Sequence, residues 1–265
     1  SAGGSSAIHR HVSKTKGFCD GKGDNCWRNN YSTTPLVWDF YRNATRRPDQ
    51  LRQRVAFALQ QILVVSAEGV SGTYGLRNYQ NTLLTHAFGN YRDLLRQVTL
   101  SPVMGDYLDH VNNDPAAPNE NYARELLQLF SVGTCELNAD GSLKGGRCNA
   151  TYDNDRVRAY AYALTGWTYP AGGASPWDCW PRGTNCQFYG GDMVALPAAF
   201  HNSDARTLLS GVQLPAGHNA AQALEAVLDS LMAHPNTAPF IGRQLIQHLV
   251  SSNPSPAYVQ RVAQA

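Results

Sequence analysis

A chain of 265 residues with 43% hydrophobic side chains is long enough to bury a sizeable core, and 22 Lys and Arg against 20 Asp and Glu leave a net charge of only +2. No run of like charge supplies the footprint of a nucleic-acid or membrane-surface binder, and the longest apolar run, Ile62 to Val65, is far shorter than the roughly 20 residues that cross a bilayer. These totals argue for a globular protein with no nucleic-acid partner and no membrane span.

Residues 1 to 35 are rich in Gly, Ser, Asn and Lys without periodicity and read as an irregular N-terminal arm; their opening SAGGSSAIHRHVSK has no apolar signal core. Pro48 and Asp49 suit a first helical turn, after which Leu51, Val55, Ala58, Leu59 and Ile62 recur at helical steps. A second helix is expected from about Asn78 to Phe88, ended by Gly89. Asn90 can cap the next, with Leu94, Leu95 and Val98 inward, and Ser101 with Pro102 starts another through Val103, Met104, Tyr107 and Leu108. The polar segment HVNNDPAAPN then precedes PNENYARELLQLFSVG, where Asn119 is a good N-cap. Asp153 or Asn154 can cap DRVRAYAYAL, which Gly166 ends. Residues 166 to 217 return to loop chemistry, with a short hairpin expected between 168 and 200, and the last fifty residues hold two or three helices broken by Pro235 and Pro254. The fold class is mostly all-α: a single multi-helix domain over 36–265, with disulfide-closed loops and an aromatic loop insertion at about 166–217.

Six cysteines form three local couples, Cys19 with Cys26, Cys135 with Cys148 and Cys179 with Cys186. Each couple encloses turn formers that bring its two ends together, so nearest-neighbour disulfides are favoured. A zinc site is the competing reading, but no couple has two-residue spacing and no His sits in these loops. Three disulfides imply an oxidising compartment, periplasmic or secreted.

On a helical wheel Ala123, Leu126, Leu127 and Phe130 share one face of PNENYARELLQLFSVG, while Asn121, Arg124, Glu125 and Gln128 share the other. Capping and a Glu120–Arg124 pair, worth about 0.2–0.5 kcal/mol, explain much of this face without chemistry. Yet Asp106, Asp109, His110, Asn112, Asn113 and Asp114 lie just upstream. So oxygen-rich a stretch also suits a hard cation such as Ca²⁺, though no calcium-loop spacing is present, or a pair of carboxylates in acid and base roles. No other cofactor is expected.

The loop after Gly166 gathers Trp167, Tyr169, Trp177, Trp180, Phe188 and Tyr189. Aromatic side chains there either stack on sugar rings or meet a protein partner, or they form a satellite core beneath the loop. No Gly-x-Ser-x-Gly elbow, phosphate-cradling loop, dinucleotide fingerprint or paired-histidine helix face is present.

The blocks LRQRVAFALQQILVVS, AFGNYRDLLRQVTLSPVMGDYLD, PNENYARELLQLFSVG, RAYAYALTGWTY and HPNTAPFIGRQLIQHLVSSNPSPAYVQRVA, in this order, resemble the bacterial family known as domain of unknown function 1800. The resemblance implies a helical, exported domain with no assigned general activity. Asn121, Arg124 and Glu125, with Thr165, Gly166 and Trp167, match its characteristic positions. Members usually carry a His-Asp pair after the TGW block; this chain departs from that, with His201 followed by Asn202 and with Asp204 two further on. Members also carry further helices before and after the matching segment, and this chain stops mid-pattern, as an internal piece of a longer protein would.

The functional expectation is an exported domain that binds, and on a stronger reading hydrolyses, an extracellular polymer such as a polysaccharide. In that scheme Glu120 or Asp109 is the acid and Glu125 the base; Asn121 and Arg124 orient the ligand beside Trp167, Trp177, Trp180 and His201. The alternative is a non-catalytic extracellular structural or protein-interaction module.

Overall fold

The computed structural model describes residues 20–22, 33–70, 73–171 and 187–265. Among them are ten α-helices, in chain order α1 Thr34–Arg46, α2 Gln50–Ile62, α3 Thr73–Thr85, α4 Tyr91–Leu100, α5 Pro102–Tyr107, α6 Asn121–Gln128, α7 Asn154–Ala163, α8 Ala220–Met232, α9 Thr237–Leu249 and α10 Pro256–Gln264. The mostly helical class is therefore correct. No described helix is long and apolar enough to cross a membrane.

Local chemistry explains most starts. Asn90 accepts from the N–H of Arg92, Asp153 from that of Arg156 and Ser255 from that of Tyr258, while Asn219 and Gln222 form a reciprocal capping box. α3 begins and ends earlier than the expected Asn78 to Phe88, and α7 closes at Ala163, before Gly166. α1 has no counterpart in the sequence reading, which left residue 34 in the irregular arm and recognised no helix before Pro48. Its buried residues are Leu36, Asp39 and Asn43, whereas Val37, Trp38 and Tyr41 face outward, so no apolar stripe marks it.

One large core joins α2 to α9, with Leu63, Leu95, Met104, Leu126, Leu127, Tyr160, Leu224 and Leu228 essentially inaccessible. α4 and α8 are also clamped across their outer faces: Arg92 pairs with Glu225 at 2.7 Å and Asp229 at 2.6 Å, and Arg96 with Glu225 at 2.8 Å. Partial burial opposes ionisation of Glu225, but hydrogen bonds from Arg96 and Arg92 outweigh it and hold the carboxyl below its ordinary range.

The strands are two-residue ladders. β1 Trp167–Thr168 pairs antiparallel with β2 Val194–Ala195, which is the hairpin expected between 168 and 200. β3 Arg206–Thr207 with β4 Gln213–Leu214 is a second hairpin that no alternation announces.

Cys135 and Cys148 form a disulfide with Cα atoms 4.9 Å apart. The other two cysteine couples lie outside the described residues. The base of this loop is pinned by the buried Asn236, which accepts from Leu137 N–H at 2.9 Å and donates to the carbonyls of Val132 and Cys135 at 3.0 and 2.7 Å. Because the bond closes a span of 13 residues, the Cys135→Ser/Cys148→Ser variant is expected to lose about 3 kcal/mol of stability in urea unfolding without loss of helical circular dichroism.

Candidate functional site

The NYARE helix, α6, divides as the wheel requires: Tyr122, Ala123, Leu126 and Leu127 are buried, and Asn121, Arg124 and Glu125 are half-exposed. Most of its polar face is already committed. Arg124 donates to Glu120 at 3.0 Å and to Asn154 at 3.5 Å, and Arg158 approaches the other oxygen of Glu120 at 3.5 Å. Glu120 therefore ties α6 to α7. Asn121 donates to Asp109 at 3.2 Å. Glu125 and Gln128 have side chains with no hydrogen bond or ion pair among the described residues, and Glu125 lies close enough to Tyr152 to help raise that phenol above its ordinary value, mainly a consequence of burial. Trp167 is 5% exposed, in the core, and offers almost no surface to a ligand.

The polar segment before α6 is a knot of backbone capping. Asn113 accepts from the N–H of Asn119 at 2.7 Å and donates to its carbonyl at 3.0 Å, Asp114 accepts from Ala116 N–H at 2.8 Å, and Asn119 accepts from Asn121 N–H at 2.8 Å. Asp109 and Asn112 hold left-handed backbones with φ of 57°, which short polar side chains tolerate. Asp106 accepts from the hydroxyls of Tyr169 and Tyr189 and from Gln187 at 3.1 Å. Asp106, Asp109 and Asp114 do line a common open cavity of about 310 Å³, with Asn112 and Asn113 between them. Each of the three carboxylates has a protein donor, so their crowding is explained without a cation.

The TGW block turns on a left-handed glycine. Gly166 has φ of +86°, and a Cβ on it would lie 2.9 Å from His201 Cβ and 3.2 Å from the carbonyl of Phe200. Only glycine allows segment 200–201 to lie against this turn. Thr165 then holds that segment: its hydroxyl accepts from Asn202 N–H at 2.9 Å and its carbonyl accepts from His201 Nδ1 at 2.9 Å. Trp167 pairs in β1 and its carbonyl accepts from Asn112 N–H at 2.7 Å, which joins the same turn to the acidic segment. His201 is 7% exposed, and burial, the leading cause, lowers its proton affinity.

His110 is wholly buried and stacks on Tyr122 with ring centres 4.6 Å apart, neither ring nitrogen having a hydrogen-bond partner among the described residues. Burial pushes its pKa down to about 3, so the folded protein holds it neutral.

The aromatic loop is core at its described ends. Tyr169 and Tyr189 join Leu36, Val70, Leu76 and Val103 in a satellite cluster. Trp177 and Trp180 lie outside the described residues. Beside Tyr189 opens a cleft of about 390 Å³ between α3, the start of α5 and segment 189–192. Gly75 makes it possible, since a Cβ there would lie 2.7 Å from Val103 and 2.8 Å from Tyr189. Asn78, Asn81, Thr82 and Thr85 line one wall, with Gln97 and Ser101 opposite. Asn78 is tied to the Tyr189 carbonyl at 2.7 Å and Thr82 to the Asn78 carbonyl at 3.2 Å, whereas Thr85 and Gln97 make no side-chain hydrogen bond among the described residues. Asp192 stands at the rim, its carboxyl pushed up by partial burial against the pull of Arg96. Sequence reasoning passed over this cleft, although Asn78, Asn81, Thr82 and Thr85 follow the i, i+3, i+4, i+7 pattern of one helix face and are uncharged, unlike an ordinary solvated face.

A mostly helical domain with a glycine-dependent TGW turn and a buried NYARE helix defines the class of protein. The chain matches the family described as "Protein of unknown function (DUF1800)" over residues 9–265 and belongs to that family. No curated protein and no solved structure matches it.

Two outcomes follow from this geometry. Gly166→Ala is expected to cost about 2 kcal/mol or more in thermal unfolding, because it strains φ and displaces His201 together. The depressed pKa of His110 means that the unfolded chain takes up a proton below pH ~6.5 while the folded chain takes it up only near pH 3, so stability is lost as pH drops through that window, at up to about 1.4 kcal/mol per unit. His110→Phe should flatten the difference in urea midpoint between pH 7 and pH 4; equal slopes for both proteins would show that His110 does not set it.

Proposed function

We propose that this domain is an exported binding module for a hydroxyl-rich extracellular polymer such as a polysaccharide. The observation that supports the reading is the α3 cleft, whose wall of amides and hydroxyls is uncharged and whose lining also includes the largely buried Tyr79 and Tyr189. Its volume is that of an ordinary small-ligand pocket, with donors and acceptors in the place where a sugar presents both. The disulfide of the 135–148 loop supports export, since such bonds persist in oxidising compartments.

Binding has more support than hydrolysis. Glycoside hydrolysis uses two carboxyl groups across the scissile bond, and Asp192 is the sole carboxylate among the described residues lining the cleft. Of the carboxylates around α6, Glu120 is held by Arg124 and Arg158 and Asp109 accepts from Asn121, while Glu125 has no such partner among the described residues. A second reading, a protein-interaction module, draws on an apolar groove of about 340 Å³ lined by Leu36, Val37, Phe40, Tyr41 and Phe57, next to the 59%-exposed Trp38.

A polysaccharide and glycoconjugate panel separates these readings. Wild type is expected to retain at least one neutral glycan, Thr85→Ala and Gln97→Ala to weaken it by roughly fivefold each, as for a lost neutral hydrogen bond, and Glu125→Gln to leave it unchanged. No retention by wild type, or retention indifferent to both cleft variants, removes the proposal. Turnover that disappears in Glu125→Gln would restore hydrolysis.

A further inference from the structure

His201 and His218 come from loop segments on either side of the β3–β4 hairpin, yet their rings meet with centres 5.0 Å apart and planes at 80°. Both are buried, at 7% and 6% exposure. Each uses Nδ1 in the same manner: His201 toward the Thr165 carbonyl at 2.9 Å, His218 toward the Pro215 carbonyl at 2.7 Å. A carbonyl oxygen only accepts, so both Nδ1 atoms carry the hydrogen and both Nε2 atoms present a lone pair. Neither Nε2 has a partner, although each is buried. Two such orphans on neighbouring rings are costly unless something satisfies them.

From this pairing of adjoining rings with unpartnered Nε2 atoms we infer that His201 and His218 form a two-histidine site for a divalent transition-metal ion of the zinc class. Backbone carbonyls that fix Nδ1–H and leave Nε2 bare are the usual outer support of imidazole ligands. Two imidazoles sharing one tetrahedral ion through Nε2 bonds of about 2.0–2.1 Å hold their ring centres roughly 5 Å apart, the separation found here. No third His, Cys, Asp or Glu among the described residues completes a cluster, so the remaining positions belong to solvent or an anion. Arg206 is the neighbouring cation: it stacks on Tyr162, donates to Asn202, is offset by Asp204, and keeps a buried Nε–H without an acceptor. That donor suits an anionic ligand on the ion rather than the ion itself. Bound metal would fasten the 196–219 segment onto the TGW turn, a role independent of the α3 cleft.

The test uses the protein free of any polyhistidine tag and stripped with a chelator. Titration with Co(II) is expected to give one visible-absorbing equivalent per chain, and Zn(II) to displace it and raise the thermal midpoint by several degrees. His218→Phe, which keeps a ring in the packing, should weaken uptake at least tenfold and abolish the midpoint shift, whereas the exposed His248→Ala should change neither. His201→Phe should behave as His218→Phe does; if it fails to fold, His218→Phe decides alone. No uptake by wild type, or uptake that survives His218→Phe, overturns the site.

Discussion

The turn at Thr165–Trp167 is the constraint on which the non-helical half of the molecule depends. Helix α7 ends just before it, and the chain can reverse there only because Gly166 adopts a left-handed backbone and has no Cβ to meet His201. Three consecutive residues then each fix a different segment: Thr165 holds 201–202 with its carbonyl and hydroxyl, the Gly166 carbonyl accepts from Leu196 at 2.8 Å, and the Trp167 carbonyl holds Asn112. Through that one turn, the loop carrying His201 and the acidic segment leading to α6 are placed relative to the same helical core.

The crowded polar face of α6 acquires a similar explanation. A chain that must pass from α5 to α6 through thirteen irregular residues has many backbone groups to satisfy, and Asn113, Asp114 and Asn119 satisfy several of them. Arg124, Glu120 and Arg158 then join α6 to α7 at the rim of a core already closed by Leu126, Leu127 and Tyr160. Such partly exposed pairs add little energy and fix orientation more than stability. Asn236 works alike in the interior, spending three hydrogen bonds to hold the disulfide loop against the start of α9.

Function is best sought where polar groups remain uncommitted. On α6 Glu125 and Gln128 do; Thr85 on α3 and Gln97 on α4 share one cleft, and at the hairpin base the Nε2 atoms of two adjoining imidazoles lack partners among the described residues. These places lie on segments held by the rigid helical frame, the usual arrangement for binding surfaces.

The sequence by itself determined the helical class, the order of most helices, the caps at Asn90 and Asp153, and the division of α6 into buried and polar faces, because each is decided by residues three or four apart. It also marked Cys135 with Cys148, since turn formers between them bring the ends together. It could not announce α1, whose inner face carries Asp39 and Asn43 and whose outer face carries Trp38 and Tyr41, nor the two-residue β3–β4 ladder, too short to alternate. Only tertiary structure decided which carboxylates were spent, which tyrosines held Asp106, and that His201 meets His218, for these depend on contacts between segments far apart in the chain that no local periodicity records.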